Sequence, residues 1–344
     1  MTRSGLIAEA GLLVLSVIVN ICSAANELYD TEHYITKYGI NASRYRATTA
    51  DGYKLALFRL RPAGEVLGVA LLQHGNRETS ADWLRHSSNL PSQLLTAGIE
   101  VWLANSRLSP ESWPAGRNTS AEFWDFSFHE IGIYDLATTV DVALNISARQ
   151  QIHVIGFSEG STAALVLLSE RPEYNGRVAS LNLMAPAAYM ARSKFKAIAQ
   201  TAEIVRIFAP KYYETLHDNN YVRGSSRKQL EHYGQLIISG RFRQYNYGSQ
   251  LNLKHYGSKL APDYRLWQIT IPVALHYGCL DVTVNPTDVE QLGKVLSKNT
   301  SVRFFRYDAL DHQDFTARSE ASKLVYPNIV NDIRSFNQSN QSVL

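Results

Sequence analysis

The sequence predicts an α/β fold, a mostly parallel central sheet with helices on both faces, interrupted once by a helical insertion. Three observations carry the prediction. Short apolar runs suited to strands recur along the chain at Leu67 to Gln73, Ile99 to Ala104, Ile152 to Ile155, Val178 to Met184, Ile271 to Tyr277 and Val302 to Tyr307, and segments with helical spacing stand between them. One run, QIHVIGFSEGSTAALVLL from Gln151 to Leu168, joins an apolar strand to an Ala- and Leu-rich helix through Gly156-Phe157-Ser158-Glu159-Gly160. Finally, Ala187 to Trp267 is rich in Tyr, Arg and Lys and contains no convincing buried strand.

In chain order, Arg3 precedes the apolar stretch Gly11 to Ile21, and small residues follow at Cys22 to Ala25. This pattern predicts a signal peptide over residues 1–25, too short to span a bilayer, and hence a secreted protein or one of a lysosome-like lumen. After a short lead-in helix, Tyr45 to Arg61 reads as two strands joined at Asp51-Gly52, a hairpin turn signal. A short helix is expected at Pro91 to Ala97, and a long surface loop at Asn105 to Thr119. His129 to Leu144 repeats apolar residues at helical spacing. The core is then expected over 26–186 and 268–344, with a helical cap or lid over 187–267. Within that insertion, helices are expected at Ser193 to Phe208 and Lys228 to Ser239. The later core adds helices at Thr287 to Leu296 and near Glu320 to Phe336.

Composition excludes several function classes. The 344 residues carry a net charge of only +3, 45% hydrophobic and 19% charged residues, so no nucleic-acid partner is indicated. No transmembrane run of about 20 apolar residues appears. Once the leader is removed, Cys279 is the only thiol, which rules out an intramolecular disulfide. Its place at the end of an apolar strand suggests a buried, inert cysteine. With one cysteine and no H-E-x-x-H pair, neither a metal site nor a cofactor is implied. Asn-x-Ser/Thr sequons at Asn41, Asn118, Asn145, Asn299, Asn337 and Asn340 fit a glycosylated, secreted chain.

The chemistry centres on Ser158. A G-x-S-x-G segment between strand and helix is the context of a nucleophile elbow, in which a serine sits on a strained turn beside unpaired helix N–H groups. A serine hydroxyl becomes nucleophilic when an imidazole accepts its proton and a carboxylate orients that imidazole. In a parallel sheet such partners gather at the carboxyl ends of strands. His312 follows the last strand and Asp281 the one before it. Asp308, Asp311 and Asp314 lie too close to His312 in sequence to be preferred as orienters, and Asp288 falls in a helix first turn. His129, His153 and His276 are poor bases on a helix start and within strands. An oxyanion hole requires two backbone donors, which Asn76, after His74-Gly75, and Glu159 are placed to supply.

These residues resemble the acid lipases, the family of gastric and lysosomal acid lipases and their insect relatives. The likeness spans most of the mature chain through YRATTADGYKLALFRL, LLQHG, VWLANSR, FWDFSFHEIGIYDL, IGFSEG, YGCLDVTVNPTDV and the final DHQDF. FWDFSFHEIG, at Phe123 to Gly132, is its most specific marker, and we read it as structural, bracing the helix before the elbow. The resemblance implies an α/β-hydrolase fold and hydrolysis of lipid esters, acylglycerols or sterol esters, through an acyl-enzyme, with transient contact at a lipid interface. It also implies Ser158 as nucleophile, Asp281 as acid, His312 as base, and Asn76 and Glu159 as oxyanion donors. Three departures stand out. Glu159 replaces the usual Gln, Asn76 replaces the usual Leu, and the insertion is shorter and lacks the family's disulfide cysteines. Glu159 and the shortened insertion leave a non-catalytic lipid carrier or storage protein on the same fold as the alternative reading; a serine peptidase or thioesterase on this scaffold is a third.

Overall fold

The computed structural model describes residues 30–107, 109–112, 122–208, 221–222 and 225–341. Eight strands form one sheet: β1 Ala42–Thr48, β2 Lys54–Leu60, β3 Gly68–Gln73, β4 Ile99–Ala104, β5 Ile152–Phe157, β6 Val178–Met184, β7 Val273–Gly278 and β8 Val302–Tyr307. Their order is β1-β2-β4-β3-β5-β6-β7-β8. β1 and β2 form the expected antiparallel hairpin, and β2 is also antiparallel to β4. From β4 across to β8 every pairing is parallel.

The period-two alternation of strand side chains divides the interior into two cores. Val69 and Leu71 of β3, with Ile152 and Val154 of β5, face one core, whereas Ala70, Leu72, Ile155 and Phe157 face the other. Helices Ala137–Ser147, Glu159–Glu170 and Pro286–Leu296 close the first. Leu90–Thr96 and Tyr326–Gln341 close the second. Strands buried on both faces read as continuous apolar runs, which is why the central ones were visible in the sequence.

Between β6 and β7 the chain contributes helices Lys196–Phe208, Arg227–Ser239 and Ser249–Tyr256, with a two-residue ribbon pairing Tyr221–Val222 and Ser225–Ser226. Ser226 caps Arg227–Ser239 in a capping box with Gln229, and Gly240 closes the helix in the left-handed conformation. The helix Ser249–Tyr256 was not expected. It has no apolar stripe, because Leu251 and Leu253 are exposed and only Asn252 is buried.

Two other expectations need correction. The segment from Asn105 is not a surface loop over its described first half: Asn105, Ser106, Arg107, Ser109, Glu111 and Ser112 are buried. They are held by polar partners rather than apolar packing, as when Asn105 donates to the Ala56 carbonyl and to Ser80 Oγ. Secondly, the helix leading into the elbow widens to a π-helix over Ile131–Leu136. Asp135, in that wide turn, accepts from the backbone N–H of Arg107 at 2.8 Å and from its guanidinium at 2.7 Å. The far edge of the guanidinium pairs with Asp51 at 2.8 Å, and its plane lies 3.9 Å over the Tyr53 ring. Burial opposes the charge on Arg107, but the two carboxylates outweigh it and its pKa rises.

Candidate active site

Ser158 occupies the turn between β5 and Glu159–Glu170 with φ 50° and ψ −111°, a strained conformation for a residue with a Cβ. Two close approaches explain its neighbours. A Cβ on Gly160 would strike the Gln73 carbonyl oxygen of β3, and one on Gly156 would strike the backbone of Gly160 and Ser161. The strand, helix and adjacent strand can pack this tightly only around glycine. The turn is pinned by Ser158 N–H donating to the Met184 carbonyl at 2.9 Å.

His312 and Asp281 meet Ser158 from separate loops. His312 Nε2 lies 2.9 Å from Ser158 Oγ, and its Nδ1 lies 2.7 Å from Asp281 Oδ2. Asp281 Oδ1 accepts the backbone N–H groups of Thr283 and Val284, both at 2.8 Å, so the carboxylate is oriented before it meets the imidazole. The rejected acids have other tasks. Asp311 and Asp314 exchange hydrogen bonds with each other's backbone, Asp308 pairs with Arg306, and Asp288 holds Arg192 at 2.8 Å. His276 lies buried between Asn182 and Tyr307, and His153 reaches Ser180 and Asn337.

The loop after β3 runs beside the elbow. His74 Nε2 accepts the Ser106 N–H, which leaves Nδ1 to donate to the Gly75 carbonyl at 2.7 Å. Gly75 N–H in turn donates to Glu78 at 2.9 Å, and Glu78 also accepts from Thr316, four residues beyond His312. Burial, with Asp82 nearby, pushes the Glu78 carboxyl up to about 8. Glu159 is the first residue of its helix, so its N–H precedes the intrahelical ladder. Its side chain turns inward, only 4% exposed, and accepts from Asn76 Nδ2 at 2.9 Å and Gln229 Nε2 at 2.5 Å. Burial raises this carboxyl above its usual range, with hydrogen bonds from Asn76, Gln229 and Tyr233 opposing.

Comparison with known proteins agrees with this architecture. Residues 31–87 match the partial alpha/beta-hydrolase lipase region, and residues 69–223 the alpha/beta hydrolase fold. Lipase 1 of Drosophila melanogaster is 30% identical over 342 aligned positions, covering 85% of this chain and 76% of the relative. The chain belongs to the acid lipase family. Gastric triacylglycerol lipase of Mus musculus is 29% identical, covering 86% of this chain and 89% of its own. A thermostable carboxyl esterase from Bacillus coagulans shares the fold, with a TM-score of 0.60 at 14% identity over 86% of this chain and 99% of that one.

The acid lipase marker FWDFSFHEIG has a wider part than bracing a helix. Ser127 caps the helix start with Glu130, Phe128 stacks on His232 at 3.9 Å, and the Phe126 carbonyl accepts from Ser226 Oγ. The block therefore seats the helix Arg227–Ser239. Sequence reasoning did not find Glu78 and Ser225 beside the loop after β3, or Gln229 and Tyr233 beside Glu159. None lies in a motif, and only the polar side chain of Glu159 beside an otherwise apolar elbow hinted at partners. Cys279 corrects another expectation: it is partly exposed, and its thiol donates to Asp308 at 3.2 Å. The strand ends at Gly278, one residue before it.

Of the sequons, Asn41, Asn145 and Asn299 are exposed. Asn337 is corrected: its Nδ2, the atom a glycan would modify, is buried while its Oδ1 faces His153. Asn118 and the expected signal peptide over 1–25 lie outside the described residues, as does the side chain of Asn340. Among the described residues no helix is long and apolar enough to cross a membrane.

Proposed function

We propose that this chain is a secreted serine hydrolase that cleaves carboxylic esters of lipids, acylglycerols or sterol esters, through an acyl-enzyme. The observation that supports it is the unbroken line from Ser158 Oγ through the His312 ring to Asp281. His312 Nε2 accepts the hydroxyl proton as Oγ attacks the ester carbonyl carbon, while Asp281 stabilises the imidazolium. The carbonyl oxygen becomes an oxyanion held by the N–H groups of Asn76 and Glu159. Collapse expels the alcohol, which takes the proton from His312. Water, deprotonated by the same ring, then releases the fatty acid and restores Ser158. In this reading residues 187–267 form a reduced cap over the site, and the relatives named as lipases support a lipid ester as substrate.

Ser158→Ala should abolish p-nitrophenyl ester turnover while leaving the circular dichroism spectrum unchanged. Activity that survives the substitution refutes the mechanism. Fluorophosphonate labelling separates an enzyme from a carrier, because a carrier has no activated serine to label. Turnover of a triglyceride emulsion, a soluble short-chain ester and a peptide amide, compared side by side, separates lipase, esterase and peptidase.

A further inference from the structure

The least typical residue of the elbow has a buried side chain tied to two other segments. Glu159 Oε2 takes hydrogen bonds from two amides, one on the oxyanion loop and one on the insertion. Neither amide is free to turn away. Asn76 donates through Nδ2 while its Oδ1 accepts from Ser225 Oγ at 2.5 Å. Gln229 donates through Nε2 while its Oε1 accepts the Ser226 N–H at 3.2 Å, as part of the capping box. Ser226 is itself anchored to the Phe126 carbonyl. One carboxyl therefore joins three segments that are far apart in sequence: the loop after β3, the elbow helix and the start of Arg227–Ser239.

The loop it holds needs holding. Arg77, next to Asn76, has φ 66°, in the left-handed region that a residue with a Cβ enters at a cost. A strained loop keeps its shape when side-chain contacts over-determine it. An oxyanion donor displaced by about 1 Å can cost about a hundredfold in rate.

We propose that Glu159 is a positioning residue: through Asn76 and Gln229 its side chain fixes the second oxyanion donor and makes that alignment depend on the seating of helix Arg227–Ser239. This rests on the esterase reading above. It gives the residue a side-chain role separate from its backbone N–H. What the clasp requires is a planar acceptor of this length, which an amide also provides.

The test compares kcat and KM for p-nitrophenyl butyrate in wild type, Glu159→Ala, Glu159→Gln, Gln229→Ala and the Glu159→Ala/Gln229→Ala pair. Glu159→Ala should lower kcat between about tenfold and a hundredfold, with KM changed less than about threefold. Glu159→Gln should retain kcat within about threefold. Gln229→Ala should lower kcat in the same sense, and the pair should cost no more than Glu159→Ala alone, because both act on one clasp. If Glu159→Ala fails to fold, Asn76→Ala, which opens the clasp from its less buried end, carries the same prediction. An active wild type with Glu159→Ala, or in its place Asn76→Ala, at undiminished kcat overturns the inference alone. So does Glu159→Gln as impaired as the alanine variant. A wild type that neither labels with fluorophosphonate nor turns over ester overturns the hydrolase reading, and this inference with it.

Discussion

Replacing Arg107 with Met should destabilise the protein by about 4 kcal/mol, the range for breaking one side of a buried ion pair. The side chains of Arg107 and Asp135 are each 1% exposed, whereas Asp51 is 26% exposed and can recover water. The substitution thus strands one carboxylate, Asp135, in the interior, and loses the guanidinium stack on Tyr53. For a chain of this size, about 4 kcal/mol lowers the melting temperature by roughly 10 °C. The stranded carboxyl supplies a diagnostic. It will take up a proton in the fold, so the variant's folded pKa rises above the unfolded value of about 4. Stability gained by holding that proton is present at low pH and lost as pH rises toward the folded pKa. Burial already raises the Asp135 carboxyl in the wild type, with Arg107 opposing, and loss of the guanidinium removes that opposition, so the deficit should shrink from pH 7 to pH 5. Arg107→Met/Asp135→Asn should recover most of the loss, since Asn removes the charge and can still accept the backbone N–H at position 107. Urea unfolding followed by tryptophan fluorescence at both pH values is the assay. A single variant within about 1 kcal/mol of wild type, or a double variant no better than the single one, refutes the reasoning.

Three further outcomes are expected. Asp281→Asn, which lets the imidazole turn to the wrong tautomer, should lower kcat by about four orders of magnitude; steady-state kinetics retaining a tenth of wild-type activity would contradict the assignment. Burial holds His153 at about 4 and His232 and His276 at about 3, and lowers His74 and His129 as well. Their neutral forms contribute stability that is complete above about pH 6.5 and is lost as pH falls, each of the first three by up to about 1.4 kcal/mol per unit. Glu78, Glu159 and Asp135 oppose this, because a raised carboxyl pKa favours the fold at low pH, but the five imidazoles outnumber the three carboxyls. The urea midpoint should accordingly fall from pH 6.5 to pH 4.5, and a flat or rising midpoint would exclude this balance. Finally, for protein expressed through a secretory pathway, glycosidase treatment should shift its mass, with Asn41→Gln, Asn145→Gln and Asn299→Gln each removing one step; a glycan found on Asn337 would contradict its packing.

What could be read in advance follows from where the determining contacts lie. The central strands of the sheet announced themselves because burial on both faces favours long apolar runs. The elbow was legible because one pentapeptide contains both the strain and the glycines that permit it. The order of Ser158, Asp281 and His312 followed from strand ends. By contrast, the inward turn of Glu159 depends on Gln229, 70 residues away, and nothing local announces that pairing. The burial of Asn105, Ser106, Arg107 and Ser112 was hidden for a similar reason. Serine, asparagine and arginine read as solvated until partners such as Asp135 and Ser80 arrive from other segments. The π-turn at Ile131–Leu136 left no mark in a helical periodicity, since one inserted residue disturbs a 3.6-residue pattern only slightly.

The strand order has a stereochemical consequence. β5 lies between β3 on one side and β6, β7 and β8 on the other, so Asn76 approaches Ser158 from one flank and His312 with Asp281 from the opposite one. An ester carbon held between them can offer only one of its two faces to the attacking oxygen. For a substrate with a stereocentre in its alcohol part, such as a glycerol backbone acylated unequally, attack on one fixed face gives the two mirror-image forms diastereomeric tetrahedral intermediates. Mirror-image esters of equal polarity and size should consequently be hydrolysed at different rates.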